Sequence, residues 1–339
     1  MDSINWGIIG LGNIAYRFAE AFNNVKNSKL LAISSKNQNN LKKFKTFFSI
    51  ENKFCFENYN DLINCKDIDI VYIALPHSFH YQWVIECINS KKNILCEKPA
   101  TINLLQMQRI NHLLNNSNIF FAEGLMYRYH PQTIKLLQII NDNLIGNLIS
   151  MSSYFGNNII KKNFFFGITR TKINKKNRLF DKNLAGGSIL DLGCYPVSMS
   201  TLIAELKSQT NHKKTEIINS KKDFDKLEVD VDSYALLKFD NNFIANIGCS
   251  FKKNIGQETI IIGSKGTIKV HKTWNCDPSV IIINDKIYEE NQTKYKNIYA
   301  YEIESISNSL LNKSLKPDFP GVHRLETEKN MEIIEKWIN

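Results

Sequence analysis

This chain has no run of about 18 apolar residues, and without one no helix is expected to span a membrane. Its N-terminus, Met1-Asp2-Ser3-Ile4-Asn5-Trp6, lacks the basic segment and apolar core of a secretory signal, which points to the cytoplasm. Cysteine is scarce: the seven residues are scattered, with no C-x-x-C pair and no His/Cys cluster at zinc spacing. That pattern sets aside a disulfide framework and a metal centre, and it suits free thiols in a reducing compartment. Arginine-rich arms and DNA-binding motifs are missing as well. The net charge of +10 therefore implies no nucleic-acid partner; its lysines are spread along a chain rich in Asn, Ile and Lys, as a low-GC coding bias produces. A positive surface still favours an anionic cofactor or substrate. No internal repeat, low-complexity tract or flexible linker interrupts the sequence.

At 339 residues the chain exceeds the usual ~250–300 residues of a single core, so two domains are expected. The apolar run Ile4 to Ile9 leads into Gly10-Leu11-Gly12-Asn13-Ile14-Ala15 and then into a helical stripe of Ile14, Phe18, Ala19 and Phe22. This is G-x-G-x-x-A set between a strand and a helix. Gly10 permits the tight turn, Gly12 lets the backbone approach a pyrophosphate, and Ala15 lets helix and strand pack closely. The helix start at Asn13 and Ile14 turns free N–H groups and a positive dipole end toward the phosphates. A glycine turn without a ligand is the plain alternative.

A second strand, Lys29 to Ser34, runs into Ser34-Ser35-Lys36-Asn37, where an NAD site would place Asp or Glu. The Ser35 hydroxyl and Lys36 ammonium suit a 2′-phosphate instead, which favours NADP over NAD; a merely solvated Lys36 is the other reading. Helices are expected at 40–48 and 59–63, with a short strand at 53–56. A buried strand from Asp69 ends in Leu75-Pro76-His77-Ser78-Phe79-His80, which opens a helix. The next strand, Asn93-Ile94-Leu95-Cys96, ends in Glu97-Lys98-Pro99. Proline cannot extend a central strand, so the chain must turn and leave the Lys98 amine at the carboxyl end of the sheet, where ligands bind. Leu75, Pro76 and His80 share that edge. Taken alone, Lys98 is as simply a surface charge, and His80 a cap or packing residue. A helix follows, and a strand Ile119 to Gly124 is expected to complete a doubly wound parallel sheet.

Beyond Gly124 the rhythm changes. Met126-Tyr127-Arg128-Tyr129-His130-Pro131 leads to a helix at 132–140 and a strand at 148–155. Residues 157–183, including Phe164-Phe165-Phe166, show little periodicity; a loop of that length is usually functional or mobile. Arg178-Leu179-Phe180-Asp181 precedes the densest chemical stretch, Gly186-Gly187-Ser188-Ile189-Leu190-Asp191-Leu192-Gly193-Cys194-Tyr195-Pro196. Two glycines open a helix there. The spacing of Asp191 and Tyr195 predicts one helical face. A tyrosine hydroxyl can exchange a proton if a cation such as Lys98 lowers its pKa; a structural Asp/Tyr pair is the bland reading. Four strands, at 231–239, 243–250, 259–262 and 267–270, and helices near 301–311 and 326–337 finish the chain. The antiparallel sheet they imply would offer one face for self-association.

Together these landmarks resemble the Gfo/Idh/MocA oxidoreductases, in order and over almost the whole chain. The resemblance rests on Gly10 to Ala15, Glu97-Lys98-Pro99, Met126 to Pro131 and Gly186 to Pro196. Within that family the Met-Tyr-Arg-Tyr-His-Pro and Arg-Leu-Phe-Asp segments are most similar to dimeric dihydrodiol dehydrogenases and NADP-dependent D-xylose or glucose dehydrogenases. The resemblance implies an α/β protein. Residues 1–124 would form a Rossmann domain with a doubly wound parallel sheet, and residues 125–339 an α+β substrate and oligomerisation domain with a large, mostly antiparallel sheet. It also implies hydride transfer between a secondary alcohol of a sugar, polyol or dihydrodiol and nicotinamide. Lys98 would bind or protonate the reacting oxygen, Tyr195 would take the place of the general acid/base, and Asp191 would orient substrate or base. Gly10, Gly12, Asn13, Ile14, Ser35, Lys36, Leu75, Pro76, His80, Glu97 and Lys98 would line the NADP site; Arg128 and Arg178 are candidates for substrate or loop contacts. A dimer or tetramer, with no membrane, nucleic-acid or metal partner, completes the expectation. Other readings are a nucleotide-sugar ketoreductase, a non-catalytic NADP sensor, and a glycosidase that uses NAD transiently. The chain departs from the family at Ala185, where a third glycine is usual, and at Lys36, where Arg is usual. Lysine is the poorer planar clamp for a phosphate.

Overall fold

The computed structural model describes residues 3–163, 169–171, 173–174, 177–206, 214–290 and 293–339. The Phe164-Phe165-Phe166 run lies outside them. Strand and helix alternate first: β1 (Ile4–Ile9), α1 (Asn13–Ala21), β2 (Ser28–Ser34), α2 (Gln38–Phe47), β3 (Cys55–Phe56), α3 (Tyr59–Ile63), β4 (Ile70–Ile73), α4 (His77–Asn89), β5 (Asn93–Glu97), α5 (Leu104–Asn115) and β6 (Phe121–Gly124). Then come α6 (Pro131–Asn141), β7 (Leu148–Gly156), β8 (Lys161–Asn163) and β9 (Thr169–Thr171). α7 (Cys194–Glu205) precedes β10 (Thr215–Phe224), β11 (Asp230–Phe239), β12 (Ile244–Ser250), β13 (Thr259–Gly263), β14 (Gly266–Val270), β15 (Val280–Ile283) and β16 (Lys286–Glu290). α8 (Tyr299–Leu311), β17 (Val322–His323) and α9 (Arg324–Ile338) end the chain.

Local chemistry accounts for these elements. β4 and β5 are apolar runs buried on both faces, as strands of a covered parallel sheet must be. α1 buries Ala15, Phe18, Ala19 and Ala21, the spacing of one helical stripe. The side chains of Asn37 and Asn103 cap α2 and α5, accepting from the N–H groups of Asn40 at 3.1 Å and Gln106 at 2.9 Å. On β13, burial alternates residue by residue, the mark of a strand with one solvated face.

Two compact units result, Met1–His130 with Lys294–Glu328, and Pro131–Thr293 with Lys329–Asn339. The first holds a seven-stranded sheet ordered β17-β6-β5-β4-β1-β2-β3. All its pairings are parallel except β17 on β6, where Val322 lies opposite Glu123. The sheet therefore does not end at β6, as the strand pattern implied: a late, two-residue strand covers that edge. α8 also belongs to this unit. The Trp6 indole donates to Ser307 Oγ at 3.0 Å, and the Ser28 hydroxyl donates to the same oxygen at 2.7 Å.

The second unit holds an eight-stranded sheet ordered β10-β11-β12-β7-β13-β14-β15-β16. Only β7 and β12 run parallel. α7 is buried along its whole length to Ala204. Ile149, Ile260 and Ile262 are exposed. All seven cysteines are free thiols, and no helix among the described residues is long and apolar enough to cross a membrane.

Candidate functional site

In the first unit the turn after β1 brings Gly10 beside the end of β4. Its φ is +87°, and an added Cβ would come within 2.5 Å of the Ala74 carbonyl oxygen, so glycine is required there. Gly12 is glycine for a different reason: a Cβ there would meet nothing within 4 Å. Gly12, Asn13 and the apolar Ile14 are exposed, and no side chain caps α1. An open space at an uncapped helix N-terminus fits the pyrophosphate of a dinucleotide, which needs close backbone approach and a positive dipole end. β2 ends alongside, where the Gly10 N–H donates to the Ser34 carbonyl at 3.1 Å. Ser35 Oγ accepts from the Asn37 N–H at 3.1 Å, and the exposed Lys36 holds its Nζ 5.7 Å from the Tyr59 ring centroid.

β5 delivers Glu97 and Lys98 to the same sheet edge. Glu97 is buried; one carboxylate oxygen accepts from the Tyr72 hydroxyl and the other from the Lys98 N–H at 3.3 Å. Burial, with the Glu97 charge added, pushes the Tyr72 phenol well above its ordinary pKa, so Tyr72 is the donor. Glu302 on α8 is also fully buried, and neither of its carboxylate oxygens has a hydrogen-bond partner among the described residues. Burial first, and the Glu97 charge second, push its carboxyl well above the usual range. Lys98 itself is half-buried. His80 is fully buried, with Nδ1 2.8 Å from the Pro99 carbonyl and Nε2 2.7 Å from the Leu75 carbonyl. Its ring thus fastens the loops after β4 and β5 to each other.

Arg128, a candidate for substrate or loop contacts, has its side chain completely buried. It pairs with Glu326, and it donates through Nε to Tyr127 Oη at 3.1 Å and through Nη1 to the Pro320 carbonyl at 3.2 Å. Its guanidinium is thus held by groups of the first unit itself.

In the second unit the structure brings Arg178 and Asp191 together, Nη2 to Oδ1 at 3.2 Å. Arg178 stands on a 3-10 turn whose carbonyls seat the glycine pair: a Cβ on Gly186 would lie 2.6 Å from the Leu179 oxygen and 2.8 Å from that of Arg178. Ala185, the position of the missing third glycine, takes a left-handed φ of +55°, a conformation that costs about 1 kcal/mol in any residue with a Cβ. Past Gly187 the chain winds as a π-helix through Ile189–Gly193 before α7 begins. Asp191 therefore stands on the π-turn and Tyr195 in the first turn of α7, so the helix expected to open at the glycine pair begins with the wider winding. Tyr195 is buried among aromatic rings, edge-on to Phe155 at 5.1 Å and tilted against Trp274 at 5.6 Å.

Comparison with known proteins agrees with both halves of this description. Residues 4–124 match the model of an oxidoreductase family with an NAD-binding Rossmann fold, and residues 133–269 match the GFO/IDH/MocA C-terminal domain. The chain belongs to the Gfo/Idh/MocA oxidoreductase family. Relatives include the trans-1,2-dihydrobenzene-1,2-diol dehydrogenase of Xenopus tropicalis, 26% identical over 92% of this chain and 90% of that protein. A D-xylose 1-dehydrogenase (NADP(+)) of Haloferax volcanii is 26% identical over 66% of this chain and 63% of its own length. A solved 3-ketoreductase from Actinomadura kijaniata, in complex with NADP and TDP-benzene, aligns with a TM-score of 0.81 at 20% identity, over 98% of this chain and 96% of that one. That last likeness shows the fold.

Three residues that hold the Ser188 turn and surround Tyr195 escaped the sequence reading. Asp230 accepts from the Ser188 hydroxyl at 2.6 Å, the Ile189 N–H at 2.8 Å and the Ser233 hydroxyl at 3.3 Å, and so holds the start of the π-turn. A Cβ on Gly187 would fall 2.2 Å from Asp230 Oδ1, which is why that residue is glycine. Phe155 and Trp274 wall Tyr195. Only the Gly186-Gly187 pair hinted at the first of these, because glycines mark a close approach without naming what approaches.

Proposed function

We propose that this chain is an NADP-dependent oxidoreductase that moves a hydride between a secondary alcohol carbon, in a sugar, polyol or dihydrodiol, and nicotinamide. The observation that carries the reading is the open cradle at Gly12, Asn13 and Ile14, fitted to an anion at an uncapped helix start. Residues 1–124 are assigned to the cofactor and residues 125–339 to substrate and assembly. Ser35 and Lys36 stand where a 2′-phosphate would be received, and the NADP-dependent xylose dehydrogenase relative supports that choice over NAD. Leu75, Pro76, Glu97 and Lys98 line the same sheet edge, with His80 fixing the two loops that carry them.

A bound nicotinamide dinucleotide supplies the hydride donor or acceptor. The protein must then manage one proton: when the carbinol C–H pair leaves, the O–H proton must leave too. Lys98 is assigned to hold the reacting oxygen, its ammonium offsetting the charge that develops there. Tyr195 is assigned to the proton itself. Its packing against Phe155 and Trp274 fixes the direction in which its hydroxyl points. Asp191, tied to Arg178, orients the substrate or the base. A second reading, reduction of a nucleotide-sugar ketone, is supported by the 3-ketoreductase relative and shares the same residues. The exposed Ile149, Ile260 and Ile262 support self-association through the open face of the eight-stranded sheet. The seven free thiols support a cytoplasmic location.

The test is NADPH formation with purified protein against pentoses, hexoses, inositols and trans-dihydrodiols, each repeated with NAD. Turnover of one group, faster with NADP, is expected. Lys98→Met and Tyr195→Phe should each lower that turnover at least ~100-fold. Near-normal rates in either variant remove that residue from its role. NADP binding without turnover on the panel, or on nucleotide-sugar ketones with NADPH, would instead make the protein a sensor of the dinucleotide.

A further inference from the structure

The backbone on either side of Lys98 is held by two glutamates. On the N-terminal side, Glu97 accepts from the Lys98 N–H at 3.3 Å. On the C-terminal side Pro99 has no N–H, so Ala100 offers the first amide donor beyond the lysine. That N–H donates to Glu123 Oε1 at 3.0 Å, and Ala100 is fully buried. Glu123 reaches it from the neighbouring strand, β6, where it lies opposite Cys96 in the parallel register. A buried carboxyl without some other duty is rare, because its charge is expensive to desolvate.

We propose that Glu123 is a positioning residue for Lys98, holding the turn that carries the lysine through the Ala100 amide. The inference rests on the reading that Lys98 acts on the reacting oxygen. The groups around Glu123 decide how it behaves with pH. Thr327 on α9, whose hydroxyl donates to the His323 carbonyl at 3.3 Å, and Arg128 favour its charged form, and Glu326 repels its charge. Cys96 faces it from β5, and β17 carries His323 opposite Ala122, one residue away. Arg128 is already paired with Glu326, so little positive charge is left for Glu123. Burial dominates, and its carboxyl is pushed up to about 7. The carboxylate is the better acceptor for an amide. As pH rises through 7 the Ala100 contact strengthens, so turnover gains an acidic limb from Glu123 at neutral pH, in addition to any that Tyr195 sets as the base.

Two variants and two readouts test this. Glu123→Gln keeps an acceptor oxygen and removes the titration; Glu123→Leu removes both. Hydrogen exchange at the Ala100 amide needs no substrate. Glu123→Leu should raise that exchange at least tenfold and Glu123→Gln restore most of the protection. Unchanged exchange in Glu123→Leu overturns the proposal whatever the enzyme's substrate is. In the NADP assay with the best substrate of the panel, Glu123→Leu should lower kcat about tenfold with little change in the cofactor KM. Glu123→Gln should hold kcat near normal at pH 8 and lose the limb near pH 7. If the limb survives in Glu123→Gln, the pH assignment falls. In a Lys98→Met background Glu123→Leu should cost nothing further, and a full additional loss there overturns action through Lys98. Near-normal turnover of Lys98→Met alone would sink the lysine's role and leave the exchange result to judge Glu123.

Discussion

Two helices in this protein are opened by glycines, and they use the opening in opposite ways. At the start of α1, Gly12 faces empty space and no side chain caps the helix. At the π-turn after Gly186 and Gly187, the same kind of opening is already filled. The Asp230 carboxylate takes the Ile189 N–H and the Ser188 hydroxyl and sits where a Gly187 side chain would be. A helix N-terminus attracts negative charge in either case. The first leaves that place for a ligand; the second gives it to a residue of its own chain and becomes a rigid mount for Asp191 and the helix behind it. Paired glycines before a helix therefore announce a close approach, and only the partner decides whether the approach is binding or construction.

The contrast can be broken from either side. Gly12→Asp places a carboxylate in the open cradle and should have the largest effect: NADP affinity, followed by quenching of intrinsic fluorescence, falls at least ~100-fold, about 2.7 kcal/mol. Melting should stay near wild type, because the new side chain enters open space; unchanged NADP binding would mean the cradle is not the phosphate site. Asp230→Ala empties the second opening. It leaves a buried hydroxyl and amide without their acceptor, so roughly 2–4 kcal/mol of unfolding free energy should be lost in urea titrations, and Asp230→Asn should lose less. A wild-type urea midpoint for Asp230→Ala would deny the mount its structural role. The smallest effect sharpens the first opening: Lys36→Ala should reduce the preference for NADP over NAD about fivefold, the modest worth of one exposed charge. An unaltered preference would leave Ser35 or another group to recognise the phosphate.

What could be read in the sequence follows the same division. The turn at Gly10 to Ala15 and the lysine at the end of β5 are local patterns, in which apolar strands stop at glycine or proline within a few residues. They identified the first unit's strand ends without any long-range knowledge. The Rossmann sheet and the mixed sheet were legible as fold classes. The last strand of the first sheet was not, because β17 is two residues long and pairs with β6 across some two hundred residues of chain. The partner of Arg128 was not legible either, because nothing near it in sequence reveals Glu326. Asp230 was invisible for the same reason: its partners at Ser188 and Ile189 lie across α7 and β10. The π-turn was misread as α because Asp191 and Tyr195 at a four-residue interval satisfy either winding until the backbone is seen.

The late return of Lys294–Glu328 to the first unit has a consequence for the order in which the molecule is made. When a ribosome has released Met1–His130, the sheet lacks β17, and Trp6 and Ser28 lack Ser307. Pro131–Thr293 must be synthesised first, which takes roughly 10–30 s at ordinary elongation rates. For that interval the nascent chain carries an open β6 edge and an unshielded indole, the kind of surface that chaperones hold. The dinucleotide cradle is thus translated first, yet its sheet is completed almost last.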